Sequence, residues 1–174
     1  MEIGGPRYAA VGGVHAVPVR RVPGTLILCG LEAIGRDPVA LLSTIDGDTV
    51  VCLQTDAEIE RRHPDYLSWL AAPEPHDVLR LPTEDHLVSA DDRVADLVAT
   101  VHGRLTAGRR VVVHCGAGWG RAGVIAVLVM CAAGATVDDA LTDLRSARPA
   151  AGPQSEAQDA QVRRLAPQVL VNER

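Results

Sequence analysis

The 174-residue chain contains no lysine and no phenylalanine. All 17 basic residues are therefore arginine, which excludes mechanisms that rest on a lysine amine: Walker-type NTP hydrolysis, protein kinase chemistry and pyridoxal Schiff bases. Aromatic residues make up only 2% (Tyr8, Tyr66, Trp69 and Trp119), so aromatic platforms for stacked bases are not expected and the core must be built from Leu, Val, Ile and Ala. The two missing residue types use AT-rich codons, and with abundant Ala, Arg, Gly and Val this points to GC-biased coding.

Positive charge is scarce as well. The 17 arginines face 22 acidic residues for a net charge of −5, and no arginine run exceeds two, which argues against an extended nucleic-acid footprint. The first residues lack the continuous apolar segment of a signal peptide. The longest uncharged run, Ala122 to Val137, is too short and too rich in small residues to span a membrane. A cytoplasmic protein with no nucleic-acid partner and no membrane span is expected. Cys29, Cys52, Cys115 and Cys131 are widely spaced with no C-x-x-C pair, so neither a zinc site nor a disulfide framework is signalled.

The chain has a hydrophobic content of 47% and a length suited to a single core. Residues 1–24, rich in Gly, Pro and Arg, read as an irregular N-terminal arm, packed on or preceding a domain that occupies 25–174. Apolar runs at Thr25–Leu28, Thr49–Leu53, Val78–Leu81 and Val111–His114 read as strands buried on both faces. Between them, Ser89-x-x-Asp92 opens a helix carrying Val94, Leu97, Val98, Val101 and Leu105, stopped by Gly108. Thr136-x-x-Asp139 opens a second, with Val137, Ala140, Leu141 and Leu144, which ends near Pro149. Ser155-x-x-Gln158 opens the last. This alternation predicts an α/β fold with a central mixed sheet of four to five strands flanked by helices.

The chemistry concentrates at residues 114–123. The run VVVHC leads into GAGWGRAG and then into the apolar VIAVLVMCAA, giving strand, glycine-rich loop and helix in that order. Gly116, Gly118 and Gly120 permit a backbone whose N–H groups point inward, and the following helix adds the positive end of its dipole, so the loop is an anion cradle suited to phosphate. Ala117 and Trp119 complete it, with Trp119 placed either to line the rim or to pack on the helix. Arg121 follows Cys115 by six residues, a spacing that brings guanidinium and sulfur to the same oxyanion. The amides and Arg121 favour the anionic sulfur, making Cys115 a nucleophile. His114 is placed to hold the loop, or to sit as an ordinary core histidine.

HCGAGWGRAG resembles the Cys-(x)5-Arg signature of cysteine-dependent protein phosphatases of the small dual-specificity type, most of all the kinase-associated phosphatase branch. The likeness runs from about residue 25 to 165: VVCLQTDAEI resembles the family's strand and acidic turn, LPTED its general-acid segment and RPAAGPQSEAQ its closing glutamine segment. The resemblance implies a single-domain phosphatase fold and hydrolysis of phosphomonoesters through a phosphocysteine, with no metal or cofactor. It implies Cys115, Arg121 and Asp85 as the catalytic residues, Asp85 being the general acid because it stands thirty residues before Cys115. Glu84, Asp91 and Asp92 compete for that role, although Asp92 also suits a helix cap. Gln158 resembles the glutamine that positions the hydrolytic water and equally completes its own helix's capping box. Cys52 is a conceivable resolving partner for Cys115.

The family often has Ser or Thr where this chain has Ala122. A lost hydrogen bond to a charged group is worth about 1.5–3 kcal/mol, or roughly tenfold to a hundredfold in rate, so intermediate breakdown is expected to be slow. Phosphorylated proteins are the implied substrates. A small-molecule phosphatase acting on phosphoinositides or nucleotides, a rhodanese-like sulfurtransferase and a non-catalytic phosphate-binding module remain as alternatives.

Overall fold

The computed structural model describes residues 1–3 and 5–170. In chain order the elements are β1 (Glu2–Ile3), α1 (Pro6–Ala9), β2 (Val14–Val17), β3 (Thr25–Gly30), α2 (Leu31–Ile34), α3 (Pro38–Ile45), β4 (Thr49–Cys52), α4 (Asp56–Glu60), α5 (Pro64–Ala71), β5 (Asp77–Arg80), α6 (Asp91–Thr106), β6 (Arg110–Cys115), α7 (Gly120–Ala132), α8 (Val137–Ala147) and α9 (Glu156–Val169). The four expected strands are β3, β4, β5 and β6. They pair in parallel in the order β3-β6-β4-β5, and β2 joins antiparallel beside β3. The expected mixed sheet of four to five strands is thus present. Among the described residues the two-residue β1 adds a sixth strand at the β2 edge.

The expectation of an irregular N-terminal arm is corrected. This segment contributes β2, which lies in full register against β3 with Val14 and Val17 buried in the core. The Gly/Pro-rich composition marked the turns of this segment, while the alternating VHAV that pairs with β3 was too short to stand out from them.

Side chains of successive strand residues point to opposite faces, and both faces are covered. Leu26, Leu28, Val111 and Val113 pack under α6, α7, α8 and α9. Ile27, Cys29, Val50, Cys52 and Val112 pack under α3 and α5. The central helix is α7, in which every residue from Arg121 to Ala132 is buried, as expected of a helix that is apolar on all sides. Among the described residues no helix is long and apolar enough to cross a membrane.

Two of the expected helix starts hold and one does not. Thr136 and Ser155 accept the Asp139 and Gln158 amides and cap α8 and α9. Ser89 does not cap α6. The cap position falls to Ala90, while the Ser89 hydroxyl lies 2.6 Å from that of Thr83 and Asp92 accepts from the Arg93 amide. Cross-loop pairing has taken the hydroxyl that local pattern assigned to the helix.

Parallel strands deliver their carboxyl ends to one edge of the sheet, where α/β folds place their ligands. Here β3 ends at Gly30, β4 leads to Gln54 and α4, β5 leads to Thr83 and Asp85, and β6 ends at Cys115. Four chain segments far apart in sequence meet at one cleft.

Candidate active site

Cys115 ends β6, 3% exposed, and the chain turns from it into α7 through Gly116–Trp119. The carbonyls of this loop are all tied outward. Gly116 O accepts from the Leu31 amide at 2.9 Å, Ala117 O from Arg148 Nη2 at 2.8 Å, and Gly118 O from Arg148 Nε at 2.9 Å. Trp119 O accepts from the amides of Gly123 and Gly152. In a trans peptide the C=O and the next N–H point in opposite directions, so the amides of Ala117, Gly118, Trp119 and Gly120 turn toward the opposite side, into the loop. No side chain caps α7, and its first-turn amides add to the same cradle.

The glycines serve different ends. Gly118 has φ +73° and its α-carbon abuts the backbone of Cys29, so a side chain is excluded twice over. Gly116 has no such φ and room for a β-carbon, with Arg121 Nη2 the nearest atom at 3.5 Å. Of the three glycines expected to permit this backbone, only Gly118 has a conformation that favours glycine. Gly30, outside the sequence motif, is needed because a β-carbon there would lie 2.9 Å from Gly116 O.

Arg121 is buried, and its guanidinium is held rather than free. Its Nη1 and Nη2 each donate to Glu58 at 2.9 Å, and Nη1 also donates to Thr83 O at 2.6 Å. Its Nε is buried without a partner, an N–H donor left for an incoming oxygen. Glu58 in turn closes a capping box with Thr55 at the start of α4. Burial alone would raise the Glu58 pKa, but the bonds from Arg121 and the Thr55 amide outweigh it and hold the carboxyl below its usual range. Burial likewise opposes the charge on Arg121, and the Glu58 bonds and the nearby Cys115 overcome it.

Arg148 is a second buried guanidinium beneath the loop. Besides Ala117 O and Gly118 O it reaches Gly13 O at 3.3 Å and the His15 ring, both on the N-terminal segment. Among the described residues it meets no carboxylate, so its charge is not cancelled as that of Arg121 is. Burial lowers its pKa, and the nearby thiols Cys29 and Cys115 act in the opposite sense. Arg148 and the helix dipole therefore add positive charge beneath the cradle, with Arg121 supplying directed donors.

His114 is fully buried with Tyr66 Oη 2.7 Å from its Nε2. Burial pushes its pKa down to about 3, so the ring is neutral and serves as a packed support behind the loop. Register places His114 between Cys29 and Cys52 on one face of the sheet, while Cys115 belongs to the other. Cys52 is therefore not positioned as a resolving thiol. Its sulfur lies 4.0 Å from Gln54 O, and burial pushes its pKa up.

Of the competing carboxylates, Asp85 lies at the cleft with Oδ1 3.4 Å from Arg121 Nη2 and its side chain 66% exposed. Asp91 is bound by Gln161 and Arg164 on α9. Gln158 is buried, with Oε1 accepting from the Gln154 amide and Nε2 donating to Leu87 O. The capping box is therefore half formed: Ser155 accepts the Gln158 amide, while the Gln158 side chain bonds Gln154 instead of the Ser155 amide and lies beside Gly120 of the loop. Ala122 is buried in the first turn of α7. Trp119 is 42% exposed at the cleft rim, which decides against packing on the helix.

Sequence reasoning missed Glu58, Arg148 and Gln54, a buried residue lining the cleft whose Oε1 has no partner. Glu58 and Gln54 stand inside the quoted VVCLQTDAEI and Arg148 opens RPAAGPQSEAQ, so the segments were singled out while the residues were not.

The family model that matches residues 21–171 is PTP-SAK, described as a Swiss Army Knife protein, DSP-PTPase phosphatase domain. The chain belongs to this family. No curated protein matches it at a significant level. Among solved structures, this DSP-PTPase domain is similar to kinase associated phosphatase (KAP) with its catalytic cysteine replaced by serine, at TM-score 0.75 and 16% identity, covering 90% of this chain and 94% of that one. Tk-PTP in its active form gives TM-score 0.67 and 22% identity over 88% and 97%. PTPMT1 in complex with PI(5)P gives 0.68 and 14% over 90% and 96%. At these identities the likenesses establish a shared fold. The DSP-PTPase fold and family are those of cysteine-based phosphatases.

Proposed function

We propose that the protein is a metal-independent protein tyrosine or dual-specificity phosphatase that works through a phosphocysteine on Cys115. The observation that carries this reading is the loop whose carbonyls are all tied outward, leaving amides and the unpartnered Arg121 Nε–H to meet the oxygens of a phosphoryl group. Donors fixed before the substrate arrives stabilise charge in the transition state without reorganising, which is where such a site gains most of its rate.

In the first step the Cys115 sulfur attacks phosphorus in line, the P–O bond to the leaving group breaks, and the Asp85 carboxylic acid gives its proton to the departing oxygen. In the second, water attacks the thiophosphate, the Asp85 carboxylate takes a proton from that water, and the S–P electron pair returns to Cys115 as inorganic phosphate leaves. Glu58 keeps Arg121 in orientation throughout, and Arg148 keeps the loop open. Asp85 must be protonated for the first step and Cys115 ionised, so a bell-shaped pH profile is expected.

The test is release of para-nitrophenol from its phosphate ester with chelator present, for wild type and Cys115→Ser, with a rapid-mixing trace. Turnover that survives the chelator, vanishes in the variant and opens with a burst supports the reading, the burst reflecting slow breakdown beside Ala122. Turnover retained by Cys115→Ser overturns it. A phosphoinositide phosphatase is the second reading, favoured by the fold shared with the PI(5)P complex of PTPMT1. The variable positions of the loop, Gly116, Ala117, Trp119 and Gly120, carry no charge, which weighs against it, since a multiply charged inositol ring is commonly met by cationic side chains on the loop itself.

A further inference from the structure

The catalytic loop opens into a cleft of about 660 Å³, far larger than a phosphate group and in the range of sites that take a whole small molecule. Its far wall is α4 and the turn after it. Glu58, Arg61 and Arg62 fall three and four residues apart and so share one helical face, the face that Glu58 presents to Arg121. Arg61 still has helical dihedrals, which carries this face one turn, about 5 Å, beyond Glu58.

The charges on this wall are unequal in their commitments. The Glu58 carboxylate is taken by Arg121. Glu32 is shared among Arg36 at 3.4 Å, Arg62 at 3.5 Å and His63 at 3.4 Å. Of the three arginines that line this cleft, Arg61 is the one with no carboxylate partner among the described residues. Its Nε donates to Ala57 O of its own helix at 3.3 Å, and the rest of an exposed guanidinium faces the cleft.

We infer that Arg61, assisted by Arg62, is a second anion-binding position, so that the preferred substrates are phosphomonoesters carrying another acidic group one or two residue lengths from the phosphate. One turn of helix plus the reach of an arginine matches that separation, since an extended chain advances about 3.3–3.6 Å per residue. An acidic residue beside a phosphotyrosine and a second phosphate on the same small molecule present the same chemistry. This inference rests on the phosphatase reading above and adds substrate selection to it.

Two probe pairs separate the sources: a phosphotyrosyl hexapeptide flanked by Asp against one flanked by Ala, and an inositol bisphosphate against an inositol monophosphate. kcat/KM is measured for wild type, Arg61→Ala, Arg61→Glu and Arg163→Ala, which removes an equal charge from the exposed face of α9. Wild type is expected to favour the acidic member of at least one pair by about threefold to fivefold through KM, a preference that shrinks at high salt. Arg61→Ala should bring the ratio near one, Arg61→Glu should invert it, and Arg163→Ala should leave it unchanged. The pair that responds identifies the source. Equal rates within both pairs, or a preference that survives Arg61→Glu, overturn this inference while the phosphatase reading stands. No phosphate released from any probe or from para-nitrophenyl phosphate overturns both.

Discussion

The two segments to which the proposed reaction is assigned meet at one cleft but are held in very different ways. The loop from Cys115 to Arg121 is embedded in the core, its carbonyls held by the Leu31 amide and the buried Arg148, its arginine clamped by Glu58. The segment carrying Asp85 lies outside the core, and its ties to α9 are mainly uncharged: the Ser155 hydroxyl to His86 O at 2.8 Å, Gln158 to Leu87 O at 3.3 Å and Gln161 to Ser89 O at 2.7 Å. The proposed nucleophile and its anion cradle are therefore part of what makes the domain fold, whereas the proposed acid is presented by a surface segment that other elements hold in place. Damage to the first should lose fold and activity together. Damage to the second should lose activity selectively.

Arg148→Ala is the strongest test of that contrast. It removes the donors to Ala117 O, Gly118 O and Gly13 O at once, and each buried carbonyl left unpaired costs about 1–3 kcal/mol. Relaxation will recover part of that, so we expect a net loss of about 3–5 kcal/mol in chemical denaturation. Turnover of para-nitrophenyl phosphate should fall by about a hundredfold or more, since a misplacement of about 1 Å has that effect. Arg148→Lys keeps a charge but not the planar fork that bridges two adjacent carbonyls, and should fall between. Native stability with normal turnover in Arg148→Ala would mean that the loop holds its shape by its own backbone.

The loop was legible in the sequence because its chemistry is local. Strand, glycines, Cys115, Arg121 and helix are contiguous, and the left-handed φ of Gly118 belongs to the same few residues, although the Cys29 backbone that also excludes a side chain there is distant in sequence. The parallel strands were legible for a similar reason, since burial on both faces leaves short unbroken apolar runs such as those around Val112 and Val51. What supports the site is non-local. Glu58 closes a capping box with Thr55 in the structure, and nothing near it in the sequence indicates that its carboxylate will also bind an arginine 63 residues away. Arg148 reads as a charged residue before a proline, a surface pattern, yet it is 2% exposed because the carbonyls of three distant residues satisfy it. Ser89 shows the same limit in reverse: the local capping pattern was present, and a contact across the loop won.

Acidity should also separate two supports of the loop, His114 and Glu58. Burial holds the folded His114 pKa at about 3 against an ordinary value of 6.5, so below pH 6.5 the unfolded chain takes up a proton that the folded chain refuses. Stability then declines as pH falls, by at most about 1.4 kcal/mol per unit. Glu58 has its carboxyl held low, so its contribution is present above about pH 4.3, the ordinary glutamate value, and is lost as pH falls through its folded pKa. Urea midpoints measured at pH 7, 6 and 5 should therefore decline because of His114 and not Glu58. His114→Asn should flatten that decline, and Glu58→Gln should leave its slope unchanged while lowering stability at every pH. A wild-type midpoint that is constant from pH 7 to 5 would mean the His114 ring reaches water in the folded protein.

The smallest effect should come from the acid segment, and its sign depends on the leaving group. Gln161 Nε2 donates to Ser89 O and to Asp91 Oδ1, fastening the segment to α9 just before α6 begins. Gln161→Leu keeps the volume and removes both bonds, so Asp85 should lose some of its placement while Cys115, Arg121 and their supports stay as they are. A leaving group that departs readily as an anion, such as para-nitrophenolate, needs little help from an acid, and its turnover should fall less than about twofold. Phenyl or alkyl phosphates need the proton, and theirs should fall by about threefold to tenfold, a fraction of the 10²–10⁴-fold that a positioned acid contributes in all. The slope of log kcat/KM against leaving-group pKa is thus the readout, steeper in Gln161→Leu than in wild type. An equal fall for every leaving group would place the effect of Gln161 on the loop itself, and the separation between a core-held nucleophile and a tethered acid would not survive.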